Sequence, residues 1–165
     1  MVLGFISIPI FTLIHVLITL VAIGSGFWLM WGFIRNNPGR IVTEVFLTFT
    51  FLSSALGFLF PINGFTPALG VGVIALLVLA PTLAAFYIYK LKGIWRTVYV
   101  VGAVLSLYLN CFVLVVQSFL KVPPLHALAP NGNEPPFAIT QAVVLLVFVI
   151  IGYLAHKRFK PSVFR

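Results

Sequence analysis

The residues that could do chemistry concentrate in one stretch, from Ile94 to Phe137, where a long apolar segment leads into a proline-rich loop. Within the apolar segment, the polar and small residues recur every three or four positions. These residues are Tyr99, Gly102, Ser106, Asn110, Val113, Gln117 and Lys121. At helical spacing they share one face, here called the polar stripe, while Leu, Val and Phe fill the remaining positions. We expect the polar stripe to point into the protein.

The loop at residues 121–137, KVPPLHALAPNGNEPPF, has five prolines in seventeen residues. Such a loop is too stiff to be a flexible linker, and Leu125, Ala127 and Leu128 make it apolar as well. We therefore expect it to fold back at the membrane surface as an extracytoplasmic cap over the polar stripe.

Two interpretations of these polar residues remain open. In the first, they line an outward-facing pocket for a small ligand, an anion or a quinone head group, in which the ammonium group of Lys121 attracts the anion. The expected ligand-binding residues are Asn110, Gln117, Lys121, His126, Gln141 and His15. In the second, the amides hold helices together, Lys121 extends to the interface, and His126 bonds only within the loop.

The histidines do not predict a haem or a metal centre. A haem b site needs two histidines at one membrane depth, but His15 and His156 are expected about a bilayer apart. His15, His126 and Glu134 have no metal-ligand spacing and no second acid. We therefore expect no metal and no cofactor.

Acid–base catalysis is also disfavoured. The chain has only two acidic residues, Glu44 and Glu134, which are expected on opposite sides of the membrane. Glu44 lies less than one turn inside the second expected span, near Arg40, which favours pairing at the interface, and a proton or ion relay is the alternative. The single cysteine, Cys111, falls within an apolar segment and is typical of a small buried residue. No phosphate loop or nucleophile motif is present, so we expect a protein that is not an enzyme.

Composition indicates a bilayer protein, because 62% of the residues are hydrophobic and only 7% are charged. We expect an all-α membrane protein with one integral membrane domain over residues 1–165, a bundle of five transmembrane helices. The expected spans are about residues 3–34, 41–60, 68–89, 94–120 and 137–154. The first begins almost at Met1 without a basic region, which favours a retained span over a signal peptide.

Small and polar residues also mark the faces by which the first two spans should pack. In the first span these are Thr12, His15, Thr19, Ala22 and Gly26, and in the second they are Thr43, Thr50, Ser53, Ser54 and Gly57. Pro81 lies inside the third span and should kink it, either for shape alone or as a hinge. The uncharged turn at residues 61–67, PINGFTP, predicts a tight hairpin before that span.

The basic residues predict the orientation. Five spans place nine of the ten Lys and Arg residues on one side of the membrane, and Lys121 is the exception. The positive-inside rule then predicts an amino terminus outside and a carboxyl terminus in the cytoplasm. The basic tail that follows Leu154 should rest on the anionic inner surface.

The run at residues 107–137, LYLNCFVLVVQSFLKVPPLHALAPNGNEPPF, resembles a stretch found in small bacterial inner-membrane proteins. The resemblance is confined to this part of the chain. It implies a bacterial inner (cytoplasmic) membrane location and points to the fourth helix with its loop as the functional part. It assigns no role to any residue.

These observations predict a non-enzymatic integral membrane protein, an accessory or structural subunit of a membrane complex. The expected partners are the lipid bilayer and either another membrane protein or further copies of this chain. The alternative is a channel or carrier for a small neutral or anionic solute, which would need a continuous polar path. Nucleic acid is not expected as a partner, because the basic residues are scattered between apolar runs.

Overall fold

The structure, a computed structural model, describes residues 7–61 and 67–160. These residues form helices and turns. The elements are α1 (Ile8–Ile34), α2 (Arg40–Gly57), α3 (Pro67–Leu83) with a π-helical turn (Ala84–Ile88), α4 (Trp95–Lys121), α5 (Pro123–Leu128) and α6 (Pro135–Arg158). Within this part of the chain, five helices are long and apolar enough to cross a membrane, which confirms the expected all-helical architecture.

Some predictions fall on residues that the structure does not describe. Residues 3–6 of the first expected span, most of the 61–67 turn and the last five residues of the tail lie outside the described ranges. Among the described elements, α6 continues to Arg158, beyond the expected end at Leu154. Basic side chains in its last turn favour this extension, since they oppose the negative end of the helix dipole.

Helix α4 lies at the centre of the bundle. It packs against α1, α2, α3 and α6, and it has ten buried residues, whereas α6 has two. On the polar stripe, Tyr99, Gly102, Ser106 and Asn110 are buried, as expected for an inward face. The last two turns behave differently, because Gln117 is half-buried and Lys121 is exposed.

Small residues allow the helices to approach closely. A Cβ atom at Gly102 would overlap the side chain of Thr82 in α3, and one at Gly26 would overlap Leu107 of α4 and meet the ring of Phe46 in α2 at 2.9 Å. Close backbone approach through glycine is the usual packing mode of membrane helices. The α3–α4 contact and the α1–α2 contact therefore both depend on the absence of a side chain.

Four rings form an aromatic cluster at one end of the bundle: Phe33, Phe86, Tyr99 and Phe159. Tyr99 is fully buried, and its ring centroid lies 5.5 Å from Phe33, 5.5 Å from Phe86 and 6.1 Å from Phe159. The aromatic cluster joins the end of α1, the π-helical turn, the start of α4 and the residue that follows α6.

Helix α3 ends irregularly. Pro81 lies three residues before Ala84, where α3 passes into the π-helical turn. That turn is closed by the Tyr89 amide, which donates to the Ala84 carbonyl at 3.0 Å. A proline has no amide hydrogen for the preceding turn, and wider π turns often follow such interruptions. The hinge interpretation of Pro81 stays a prediction.

The long helices alternate in direction, so each end of the bundle collects its own set of connecting residues. The two ends differ in charge. One, here called the basic end, carries Arg35, Arg40, Lys90, Lys92, Arg96, Lys157, Arg158 and Lys160. There, Arg96 donates to the carbonyls of His156 (2.9 Å) and Phe159 (2.6 Å). The other, here called the loop end, carries α5 and the turn that precedes α6.

Candidate functional site

Polar side chains in the bundle interior bond in two ways: back to a carbonyl of their own helix, as Thr82 does to Val78, or across a contact between helices. Three hydrogen bonds join two side chains of different described helices, and together they are called the interhelical seam: Thr43 with Tyr99 (3.0 Å), Asn110 with Thr50 (3.4 Å) and Thr19 with Ser53 (2.6 Å). They connect α2 to α4 twice and α1 to α2 once. The packing faces expected on α1 and α2 supply four of the six residues.

Asn110 and Gln117 were predicted on one face, and the structure gives them different surroundings. The Asn110 side chain is buried and donates to the Thr50 hydroxyl. Gln117 lies two turns further along α4, is half-buried, and makes no side-chain hydrogen bond to the described residues. One amide therefore belongs to the interhelical seam, and the other remains available.

His15 lies on α1 at the loop end. Its ring packs edge-on against Phe60, with the centroids 5.3 Å apart, and it approaches the backbone of Gly57. Its Nδ1 atom is buried with no hydrogen-bond partner among the described residues. Lys121 lies close enough to interact with it electrostatically. The direct contacts of His15 are thus with the end of α2 and the residues that follow it.

Gln141 and His126 both bond to carbonyls of α4. Gln141 donates from Nε2 to the Phe112 carbonyl at 3.2 Å, and its Oε1 is buried without a partner in the described ranges. The His126 ring lies 3.3 Å from the Phe119 carbonyl through Nδ1. His126 itself is exposed, as is Lys121. These bonds hold α5 and the start of α6 against the last turns of α4.

The loop between α4 and α6 is folded. After α5, the Glu134 carboxylate accepts hydrogen bonds from the Asn131 backbone (3.0 Å), the Asn131 side chain (2.8 Å) and the Asn133 backbone (3.1 Å). Desolvation is the largest single influence on Glu134 and raises its pKa, but the hydrogen bonds together outweigh it and hold the pKa below its ordinary value. Glu134 therefore stays ionised and closes the turn that starts α6.

The six predicted residues do not share one set of contacts. Asn110 bonds to α2, Gln141 bonds to the α4 backbone, and His15 with Lys121 lies towards the start of α1. Whether they line one pocket under a cap stays a prediction. Three buried polar atoms without partners in the described ranges, on His15, Ser106 and Gln141, are places where a water or a ligand could bond.

The structure also has a groove that the sequence did not predict. An open groove of about 420 Å³ lies at the basic end and is lined by Trp28, Trp31, Gly32, Arg35 and Asn37. Both tryptophans lie near the end of α1, where tryptophan commonly anchors a helix at the membrane surface. The spacing of residues 28, 31, 32 and 35 was the available signal in the sequence. Residues at that spacing share one helix face.

Metal-ligand side chains do not gather in the described ranges, where no group of three or more His, Cys, Asp or Glu residues could hold an ion. Glu44 is paired instead with Arg40 at 2.8 Å. Comparison of the chain with known protein families, curated proteins and solved structures found no match.

Proposed function

We propose that this protein is a non-enzymatic integral membrane protein that serves as an accessory or structural subunit of a membrane complex. The observation that supports this role best is the interhelical seam. Its hydroxyl and amide groups bond to one another across helices, so they stabilise the bundle instead of facing an open lumen.

Helix α6 offers the surface for a partner. Only Phe148 and Ala155 are buried on it. Its main contacts are with α1 and α4. Its large exposed side chains are Ile139, Val143, Leu145, Leu146, Val147, Val149, Ile150 and Tyr153. Such a surface suits a helix of another membrane protein or of a second copy, and lipid covers it where no partner is present.

The proposed location is the bacterial inner membrane, with the basic end in the cytoplasm and the amino terminus outside. The positive-inside rule supports this orientation, because the basic end carries eight of the described Lys and Arg residues and the loop end carries one, Lys121. The loop end with its polar groups would then face outward, and its folded loop would cap the ends of α4 and α6.

Photo-cross-linking in native membranes tests the accessory role. A photoreactive amino acid in place of Val149, which is 59% exposed, should give one protein adduct of fixed mass, because a stable partner covers α6. The matched control is Leu77 on α3, which is 67% exposed and apolar but outside the proposed surface. Absence of a protein adduct at Val149, or the same adducts at both positions, would contradict the proposal.

A second candidate, a carrier or channel for a small solute, is favoured by the unpartnered polar atoms. The His15, Ser106 and Gln141 atoms lie on three different helices, and each would bond to water or to a passing solute. If this alternative holds, purified protein in liposomes should carry glycerol or chloride above the rate of empty liposomes.

Ser106→Ala should strongly reduce that flux, because it removes one of the three unpartnered polar atoms from the proposed path. Thr48→Val is the matched control, since Thr48 is an exposed polar residue of α2 outside the interhelical seam. Flux no faster than in empty liposomes would exclude transport of these solutes and leave the accessory role.

A further inference from the structure

The groove at the basic end has a defined construction. Trp28, Trp31 and Arg35 occupy one face of the last two turns of α1, with Gly32 between them. The indole rings are 69% and 58% exposed, respectively, which is high for side chains of this size. The Arg35 guanidinium lies 5.0 Å from the centre of the Trp31 ring. The groove therefore has aromatic walls and a cation at its rim.

The loop that closes the groove is held by the end of α1. Asn36 has a positive φ of 54°, and the amides of Asn36 and Asn37 donate to the carbonyls of Phe33 (3.1 Å) and Gly32 (2.8 Å). This pair of bonds is the Schellman arrangement that ends many helices. It folds Pro38 onto Gly32 so closely that a Cβ atom at residue 32 would overlap it. The position of Asn37 in the groove is thus fixed by the backbone.

Charge at this end favours an anion. Among the described residues of the basic end, Glu44 is the single acid, and Arg40 already pairs with it. Arg96 is occupied by two backbone carbonyls. Arg35 is exposed and has no acidic partner in the described ranges, so its guanidinium can donate two hydrogen bonds to the oxygens of a phosphate. The carboxyl end of α1 by itself disfavours an anion, and the Schellman bonds occupy two of its carbonyls, those of Gly32 and Phe33. The cation of Arg35 must therefore supply the attraction.

We propose that this groove binds one anionic phospholipid, with the headgroup phosphate on Arg35 and Asn37 and the upper part of an acyl chain on Trp28 and Trp31. A lipid fits better than a soluble phosphate, because the two exposed indoles provide an apolar surface that continues towards the membrane interior, and tryptophan prefers the headgroup level. This site does not depend on the accessory role proposed above.

Tryptophan quenching by brominated lipids tests the site. The chain has three tryptophans, and a Trp95→Phe background leaves the two groove residues as emitters. Trp95 otherwise stacks on Tyr89 away from the groove. The protein is reconstituted in phosphatidylcholine vesicles that contain the same mole fraction of brominated phosphatidylglycerol or brominated phosphatidylcholine. We expect the anionic lipid to bind about fivefold more tightly, as one basic contact at a membrane surface allows.

Two variants separate a specific site from general surface charge. Arg35→Gln should remove most of the preference, whereas Lys92→Gln, which loses the same charge elsewhere at the basic end, should keep it. Both residues are exposed, so circular dichroism of each variant should match that of the parent. Equal quenching by the two lipids in the parent protein would overturn the proposal. So would an equal loss of preference in both variants, which would indicate diffuse attraction alone.

Discussion

Gly102→Ala should lower the free energy of unfolding by about 1–3 kcal/mol, the range for inserting a methyl group into a packed interior. The new Cβ atom would overlap the Thr82 side chain. Thr82 cannot turn away easily, because it is fully buried and its hydroxyl donates to the Val78 carbonyl at 2.7 Å. The alanine would therefore force α3 and α4 apart.

Unfolding in mixed detergent micelles, followed by circular dichroism, measures this loss. Gly24→Ala is the matched control, since Gly24 is also helical and a Cβ atom there has no neighbour within 4 Å. That change should be neutral or slightly stabilising, because alanine favours the helix. Adding Thr82→Ala to Gly102→Ala should recover part of the stability, as expected for two residues in direct contact. Equal stability of Gly102→Ala and Gly24→Ala would contradict the close α3–α4 approach.

Tyr99→Ala should have the largest effect of any single change, a loss of about 3–5 kcal/mol, as for other large aromatic residues truncated in a core. Tyr99 is fully buried, and its ring contacts the three other members of the aromatic cluster. Removing it would leave a cavity where α1, α4, the π-helical turn and the end of α6 meet. The same unfolding assay measures the change.

Tyr99→Phe separates the ring from the hydroxyl. It keeps the aromatic cluster and removes only the bond to Thr43, whose hydroxyl retains the Gly39 carbonyl at 3.1 Å. The expected loss is about 0.6 kcal/mol, the average for hydrogen bonds between membrane helices. Tyr153→Ala is the control for a tyrosine outside the core, because Tyr153 is 63% exposed on α6. A loss for Tyr153→Ala as large as that for Tyr99→Ala would contradict the central position of the cluster.

Properties that depend on local spacing could be predicted from the sequence. Five long apolar segments follow from composition and length alone, since a helix must satisfy its own backbone groups in lipid. The buried half of the polar stripe follows from helical periodicity, and so do the α2 residues that face the interior, such as Thr50 and Ser53. The pairing of Arg40 with Glu44 follows from their four-residue separation.

The choice of partners could not be predicted in this way. Apolar residues that face lipid and those that face another helix have the same character, because lipid tails are as apolar as leucine. Composition alone therefore could not indicate that α4 is central and α6 peripheral, because both segments are strongly apolar. The sequence placed Asn110 and Gln141 in one candidate pocket, whereas the structure bonds Asn110 to α2 and Gln141 to the α4 backbone.

The groove at the basic end shows the same division between sequence and tertiary structure. The sequence by itself determined that Trp28, Trp31 and Arg35 share a helix face, because their spacing is local. Only the tertiary structure decided that the residues after α6 reach the turn at Asn36, which folds residues 37 and 38 onto Gly32. The physical reason is the range of the contacts: local backbone hydrogen bonds close the turn, whereas the Lys160 amide donates to the Asn36 side chain at 2.6 Å across 124 positions of the chain.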